Sequence, residues 1–224
     1  MAELRADGSR GPFAESGRVE AFSDGVFAVA ITLLVLDLRA PAQRGMALHD
    51  LLAQWPGYLA YLVSFAYVGV IWVNHHQLFT RIALVNAGLL WRNLTLLLTT
   101  SVLPFPTAVI SSAFQFGDRA DESAAVAFYA AVGAMAAAAW LLLFHYLSHT
   151  PRLLEDEAHT AFFARERHRA VAGVILYAAS GLCAIWYPVT GLAIACVLPV
   201  FYGATSAGLR SPESGQSMPG NLLL

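Results

Sequence analysis

The sequence predicts an all-α, polytopic membrane protein with six transmembrane helices. Of its 224 residues, 58% are hydrophobic and only 12% are charged, whereas soluble domains carry about 25% charged residues. Six stretches approach the roughly 20 apolar residues that a spanning helix needs. These helices are predicted at 18–38, 57–80, 86–114, 123–148, 170–187 and 189–208. They form one domain, 18–208, between polar tails at 1–17 and 209–224 that we expect to be flexible.

The first predicted helix begins with a polar cluster, because Arg18, Ser23 and Asp24 precede an apolar run. Inserting an ionisable side chain into the membrane costs about 2.5–3.5 kcal/mol, so such residues occur where a protein partner or water stabilises them. Further along, apolar side chains recur with the helical period and share one face, which lies toward lipid, another helix or a pore. This stripe comprises Phe22, Val29, Leu33 and Leu36, with Thr32 beside it.

The second and third predicted helices carry polar residues at the depth of the first cluster. Helix 1 starts, helix 2 ends and helix 3 starts on the same side of the membrane in an alternating topology. We therefore expect one connected intramembrane network, and we favour a structural clamp over a proton relay for it. Its predicted members are Arg18, Phe22, Ser23, Asp24, Trp72, Asn74, His75, His76 and Asn93. Within helix 3, Pro104 and Pro106 should kink the helix or end its regular part.

The remaining helices have simpler signals. Helix 4 contains an alanine-rich stretch, 136–139, that permits close packing, and Pro188 separates helices 5 and 6. The connection 150–169 carries charges of both signs and is expected to form an amphipathic surface helix. With the N-terminus inside, ten arginines lie on the inner side and three on the outer side. This bias favours two cytoplasmic termini.

Several chemistries are excluded or disfavoured by the sequence. A net charge of −2 predicts no broad basic face for nucleic acid. No nucleophile elbow, P-loop, dinucleotide fingerprint or carbonyl selectivity filter is present, so we expect no catalytic residue and no cofactor. His75 and His76 point about 100° apart on a helix, and the i, i+4 pair His145 and His149 lacks the glutamate of a zinc peptidase, so we expect no metal site.

The residues Arg18-x3-Phe22-Ser23-Asp24, followed by the apolar run to Thr32, resemble the signature of the transmembrane protein 175 family of potassium channels. The Trp72-x-Asn74-His75-His76 end of helix 2 and Asn93 are similar to that family's companion positions. The six-helix layout agrees with a bacterial member, which implies a multi-pass protein of the bacterial cell membrane. The resemblance further implies a homotetramer in which helix 1 of each subunit lines a central pore.

The resemblance also implies roles for single residues. Val29 would form the narrowest ring, Leu33 and Leu36 the next rings, and Thr32 would offer a hydroxyl near the ion path. Many members carry isoleucine or leucine where this chain has the smaller Val29. Rings of apolar side chains cannot replace an ion's hydration shell, so the expected function is a leak-like, potassium-permeable channel with modest preference over sodium.

Two alternatives stay open at this stage. A proton-conducting channel could use the histidines and Asp24 at one depth, and its reversal potential would follow pH. A metal-dependent membrane enzyme is the remote alternative, and it would require stoichiometric bound zinc or iron. For the expected channel, the predicted partners are three further copies of the chain, the lipid bilayer and potassium ions, with no nucleic acid.

Overall fold

Helices make up most of the protein. The computed structural model describes residues 14–38, 40, 45–156 and 158–205. Most of the predicted tail 1–17 and all of the predicted tail 209–224 therefore lie outside the described residues. The elements in chain order are β1 (Ala14–Glu15), α1 (Ser16–Leu34, extended by a 3₁₀ turn Val35–Asp37), α2 (Ala47–Ala53), α3 (Trp55–Phe79), β2 (Leu84–Val85), α4 (Ala87–Ser101), α5 (Pro104–Phe116), α6 (Arg119–Ser148), a 3₁₀ turn (Pro151–Leu153), α7 (His159–Ala184) and α8 (Pro188–Thr205).

Four of the helical segments in the described chain are long and apolar enough to cross a membrane. They agree with the first four predicted helices and cover Ser16–Asp37, Trp55–Phe79, Ala87–Phe116 and Arg119–Ser148. α8 contains a shorter apolar run, Pro188–Ala204, and α7 carries charged residues in its first turns. The protein is thus a multi-pass, predominantly helical membrane protein, while its six-span count stays a prediction.

The third span is interrupted at the position where its prolines predict a break. α4 ends at Ser101 and α5 begins at Pro104, which occupies the first turn of the new helix. Proline has no backbone N–H, so a helix can begin with it but cannot continue unchanged through it. The hydroxyl of Thr107 donates to the Leu103 carbonyl at this break, at 2.8 Å. Pro104 therefore divides the span into two helices.

Two helix starts differ from the predicted bounds by more than two residues. α6 begins at Arg119, earlier than predicted, because Asp118 and Asp121 form a capping box around the first N–H groups. α7 begins at His159, so the charged segment does not form the separate surface helix expected over 150–169. Residues 159–172 contain neither proline nor glycine. The helix therefore continues from this polar segment into the apolar one without a break.

The long helices α6 and α7 pack closely along each other. Gly133 on α6 makes this approach possible, because the ring of Tyr177 on α7 lies over it. Tyr177 is fully buried and also contacts Tyr67 of α3, with 5.9 Å between the ring centroids. Small residues at a membrane helix interface allow such contacts. The α6–α7 pair forms one side of the core of the described residues.

Substituting Gly133 with alanine is expected to destabilise the fold. The new Cβ would lie 2.5 Å from a Tyr177 ring carbon, and overpacking of this kind costs about 1–3 kcal/mol. Gly69 on α3 is the matched control, because a Cβ added there meets nothing within 4 Å. Melting temperatures in one detergent should fall for Gly133→Ala and stay equal or rise for Gly69→Ala. Equal melting temperatures for both variants would contradict the packing argument.

α1 lies on one side of the bundle, away from α7. It packs against α3, α4 and α5, whereas α7 packs mainly on α6 and α8. β1 pairs antiparallel with β2, with Ala14 opposite Val85. This pairing holds the start of α1 beside the start of α4. The polar end of α1 is thereby placed next to the polar end of the third span.

Candidate functional site

α1 has one buried face and one exposed face. Buried side chains recur at Ser23, Phe27, Ala30 and Leu34 and contact the bundle. The predicted stripe lies on the other side, where the exposed fractions are 59% for Phe22, 57% for Val29, 42% for Leu33 and 74% for Leu36. A single chain therefore leaves this apolar stripe uncovered. The hydroxyl of Thr32 donates to the Val29 carbonyl at 2.9 Å, as hydroxyls in membrane helices commonly do.

Three buried side chains join α1, α3 and α4 by hydrogen bonds. His75 Nε2 lies 2.9 Å from Asn93 Oδ1, and Asn93 Nδ2 lies 2.9 Å from Ser23 Oγ. Ser23 Oγ in turn donates to the Val19 carbonyl at 2.8 Å. Ser23 and His75 are 0% exposed and Asn93 is 1% exposed. This chain of bonds joins three helices that are separate in sequence.

The direction of these bonds fixes the tautomer of His75. Ser23 uses its only proton on the Val19 carbonyl, so its oxygen accepts from the Asn93 amide. The Asn93 oxygen then accepts, which places the proton of neutral His75 on Nε2. His75 Nδ1 is buried and has no hydrogen-bond partner among the described residues. Its ring is held by Phe79, stacked at 4.5 Å, and by the edge of Phe27 at 5.1 Å.

Two further contacts tie α1 to α3 closer to the surface. The indole N–H of Trp72 donates to Asp24 Oδ1 at 3.0 Å. His76 Nδ1 lies 2.7 Å from Glu20 Oε1, within ion-pair distance. Glu20 was absent from the set of predicted site residues. Its position one helical turn before Asp24 is the sequence signal that could have found it, because residues at i and i+4 share a face.

The structure does not bring every predicted network residue together. Arg18 is exposed and has no hydrogen bond or ion pair within the described residues, so Asp24 is held by Trp72 and not by Arg18. Phe22 lies on the exposed stripe. Asn74 turns away from α1, donates to the Val70 carbonyl at 2.8 Å and lines a cavity between α3, α6, α7 and α8.

The histidines do not form a metal centre in the described part of the chain. No group of three His, Cys, Asp or Glu side chains is close enough there to hold an ion. His75 and His76 diverge, since the first bonds to Asn93 and the second to Glu20. The arrangement can fix helices against one another, and it leaves the apolar stripe of α1 facing outward.

The sequence is similar to those of known proteins. Residues 18–104 match the family described as "Endosomal/lysosomal potassium channel TMEM175". A potassium channel of Streptomyces collinus is 42% identical over 203 residues, which are 89% of this chain and 97% of that protein.

A solved structure and a mammalian relative are also similar. The structure is the crystal structure of "a lysosomal potassium-selective channel TMEM175 homolog" from Chamaesiphon minutus, with a TM-score of 0.75 and 31% identity over 86% of this chain and 98% of that chain. The "Endosomal/lysosomal proton channel TMEM175" of Bos taurus is 32% identical over 198 residues, 82% of this chain but 38% of that protein.

Proposed function

The chain belongs to the TMEM175 family of potassium channels, and we propose that four copies assemble around a pore lined by α1. The protein is accordingly a potassium channel and not an enzyme, which removes the metal-dependent enzyme as an alternative. The family indicates no cofactor, and potassium is the permeant species. The proposed location is the bacterial cell membrane, with both termini in the cytoplasm, as the arginine bias favours.

The observation that carries this proposal is the uncovered stripe on α1. Exposed apolar side chains on a membrane helix face lipid, a partner or a dewetted pore. In α1 the stripe runs parallel to a buried face whose hydrogen bonds hold the helix at a set rotation. Four such helices around an axis would place Val29, Leu33 and Leu36 in successive rings. Thr32 lies beside them at the edge of the path.

The proposed constriction works by dehydration. Apolar rings present no oxygen to replace the water around an ion, so a narrow ring empties of water and blocks flux. A slightly wider ring passes partly hydrated cations. Potassium holds its water less strongly than sodium, which gives a modest preference for potassium. Val29 is proposed as the narrowest ring, and its small side chain supports a weak rather than a strict preference.

The polar residues behind the stripe are proposed to hold α1 in place. Ser23, Asn93 and His75 form the buried part of this clamp, and Asp24–Trp72 and Glu20–His76 form its outer part. The predicted members Arg18, Phe22 and Asn74 have no part in these contacts within one subunit. Arg18 and Phe22 are exposed and would face a neighbouring subunit in the proposed tetramer.

Proton conduction is the second candidate function, because the bovine relative is named a proton channel and His75 is buried among the helices. The bonding pattern supports a clamp instead. The chain from His75 passes through an amide and ends at the Val19 carbonyl. Neither group takes up and releases protons readily at neutral pH, so the chain offers no continuous relay.

Flux from liposomes tests the proposed function. Purified protein should release potassium down its gradient faster than sodium, and the reversal potential should follow potassium when potassium and pH are varied separately. Empty liposomes and liposomes with a proton ionophore give the two reference traces. Native mass spectrometry should show a complex of four chains. A reversal potential that follows pH alone, or a complex of another size, would refute the corresponding part of the proposal.

A further inference from the structure

Three cationic or potentially cationic side chains meet at the Ser148 end of α6, outside the clamp and the stripe. The rings of His145 and His149 lie 4.5 Å apart, and Arg167 of α7 places Nη1 3.5 Å from His145 Nδ1. Both histidines are exposed and Arg167 is half-buried. Arg165 and His168 are exposed on the same turn of α7.

No carboxylate neutralises this cluster within the described residues. The nearest acidic residue on α7 in sequence, Glu166, pairs with Arg169. Arg167 and Arg165 have no ion pair with any described Asp or Glu side chain. An arginine at the headgroup level without a protein counter-charge is attracted to anionic headgroups. The cluster therefore has an excess of positive charge that a ligand could balance.

The free hydrogen-bonding groups of the cluster are mainly donors. The carbonyl oxygen of His145 accepts from His149 Nδ1 and Ser148 Oγ, so the end of α6 offers few free acceptors. His145 Nδ1 accepts from Arg167, which places the proton of neutral His145 on Nε2. The remaining guanidinium N–H groups of Arg167 have no hydrogen-bond partner among the described residues. A planar guanidinium beside an imidazole N–H suits a phosphate, which it can bind through two parallel bonds. A metal ion is disfavoured because Arg167 would repel it.

The position of the cluster indicates where the phosphate comes from. α6 ends at Ser148 after an apolar run, and the charged segment of α7 ends at Arg169, just before its apolar run. Both helices thus change from apolar to polar at this height, which is the headgroup level of a bilayer. α7 packs mainly on α6 and α8, so in the proposed tetramer it lies at the periphery, next to lipid. This peripheral position and the assignment of the leaflet rest on the proposed function.

We propose that Arg167 and the Nε2–H of His145 bind the phosphate of an anionic phospholipid in the leaflet at this end of the protein. The proposed orientation makes that leaflet the cytoplasmic one. The apolar side chains of α6 and α7 beneath the cluster would contact the acyl chains. The site would attach a lipid to the α6–α7 pair without touching the pore helix.

Native mass spectrometry of the delipidated full chain tests the site directly. Phosphatidylglycerol should bind more tightly than phosphatidylcholine. Arg167→Gln should weaken phosphatidylglycerol binding about five-fold, which is the contribution expected of one arginine near an anionic membrane surface. Arg152→Gln is the control, because it removes an equal charge from an exposed arginine in the 3₁₀ turn that precedes α7. It should leave binding unchanged. His145→Asn gives a second, independent variant if Arg167→Gln does not yield folded protein.

Three outcomes would overturn the proposal. Equal affinity for the two lipids would exclude a site for an anionic headgroup. An equal loss of phosphatidylglycerol affinity in Arg152→Gln would show that binding depends on the overall positive charge and not on Arg167. Displacement of phosphatidylglycerol by inorganic phosphate would make this a site for free anions. These measurements require no ion flux. Lipid binding without potassium flux would therefore contradict the proposed channel function while leaving the lipid site intact.

Discussion

Replacing Asn93 with leucine is expected to destabilise the protein and lower the yield of assembled channel. Leucine fills a similar volume but leaves the buried His75 N–H without an acceptor and Ser23 without its donor. A buried group left without its partner costs about 1–3 kcal/mol. Thermal unfolding in detergent and the fraction of folded oligomer measure the loss. The effect is large because Asn93 bonds to two other helices at once.

The double variant His75→Phe with Asn93→Leu separates this cause from a simple change of shape. Replacing both partners by apolar groups removes the unsatisfied donor, and such paired changes can be nearly neutral. The ring of Phe79 stacks on His75 and the edge of Phe27 meets it, so phenylalanine suits the site. The double variant should recover most of the lost melting temperature. A double variant less stable than Asn93→Leu alone would contradict the proposed clamp.

Replacing Val29 with alanine is expected to raise cation flux and weaken the preference for potassium. In the proposed tetramer the change widens the narrowest ring on all sides, so water stays in it and sodium passes more easily. A rise of about tenfold would correspond to roughly 1.4 kcal/mol removed from the barrier. Flux from liposomes with potassium and sodium gradients measures both effects.

Val200→Ala is the matched control for Val29→Ala. Val200 lies on α8 and is 69% exposed, against 57% for Val29, so both changes remove the same atoms from an uncovered surface. Flux and selectivity should stay at the values of the unmodified protein in Val200→Ala. If both variants behave alike, the stripe on α1 faces lipid and the pore lies elsewhere.

Much of the fold could be predicted because its signals are local. Apolar length marks the four spans of the described chain, and the missing N–H of Pro104 marks the break in the third. The helical period placed Phe22, Val29, Leu33 and Leu36 on one face, and all four lie on the exposed face of α1. Each of these features depends on residues within a few turns of one another.

The bounds of α6 and α7 were less predictable. Hydropathy changes gradually at a helix end. The helix itself begins or ends where capping bonds or helix-breaking residues occur, and it continues where neither is present. Asp118 starts α6 early, and the unbroken segment after His159 extends α7 through its charged residues. The prediction of a separate surface helix at 150–169 was wrong because no residue interrupts α7 between its charged and apolar parts.

The sequence by itself determined that this protein spans a membrane, carries an apolar stripe on its first helix and has its polar groups at one depth. The tertiary structure decided which of those groups meet. Asn93 bonds to both His75 and Ser23, His76 bonds to Glu20, and Asp24 bonds to Trp72. Asn74 turns away and Arg18 is exposed. The physical reason is that depth follows from position along the chain. Contact between helices also requires each helix to have a particular rotation about its axis, and only packing against its neighbours sets that rotation.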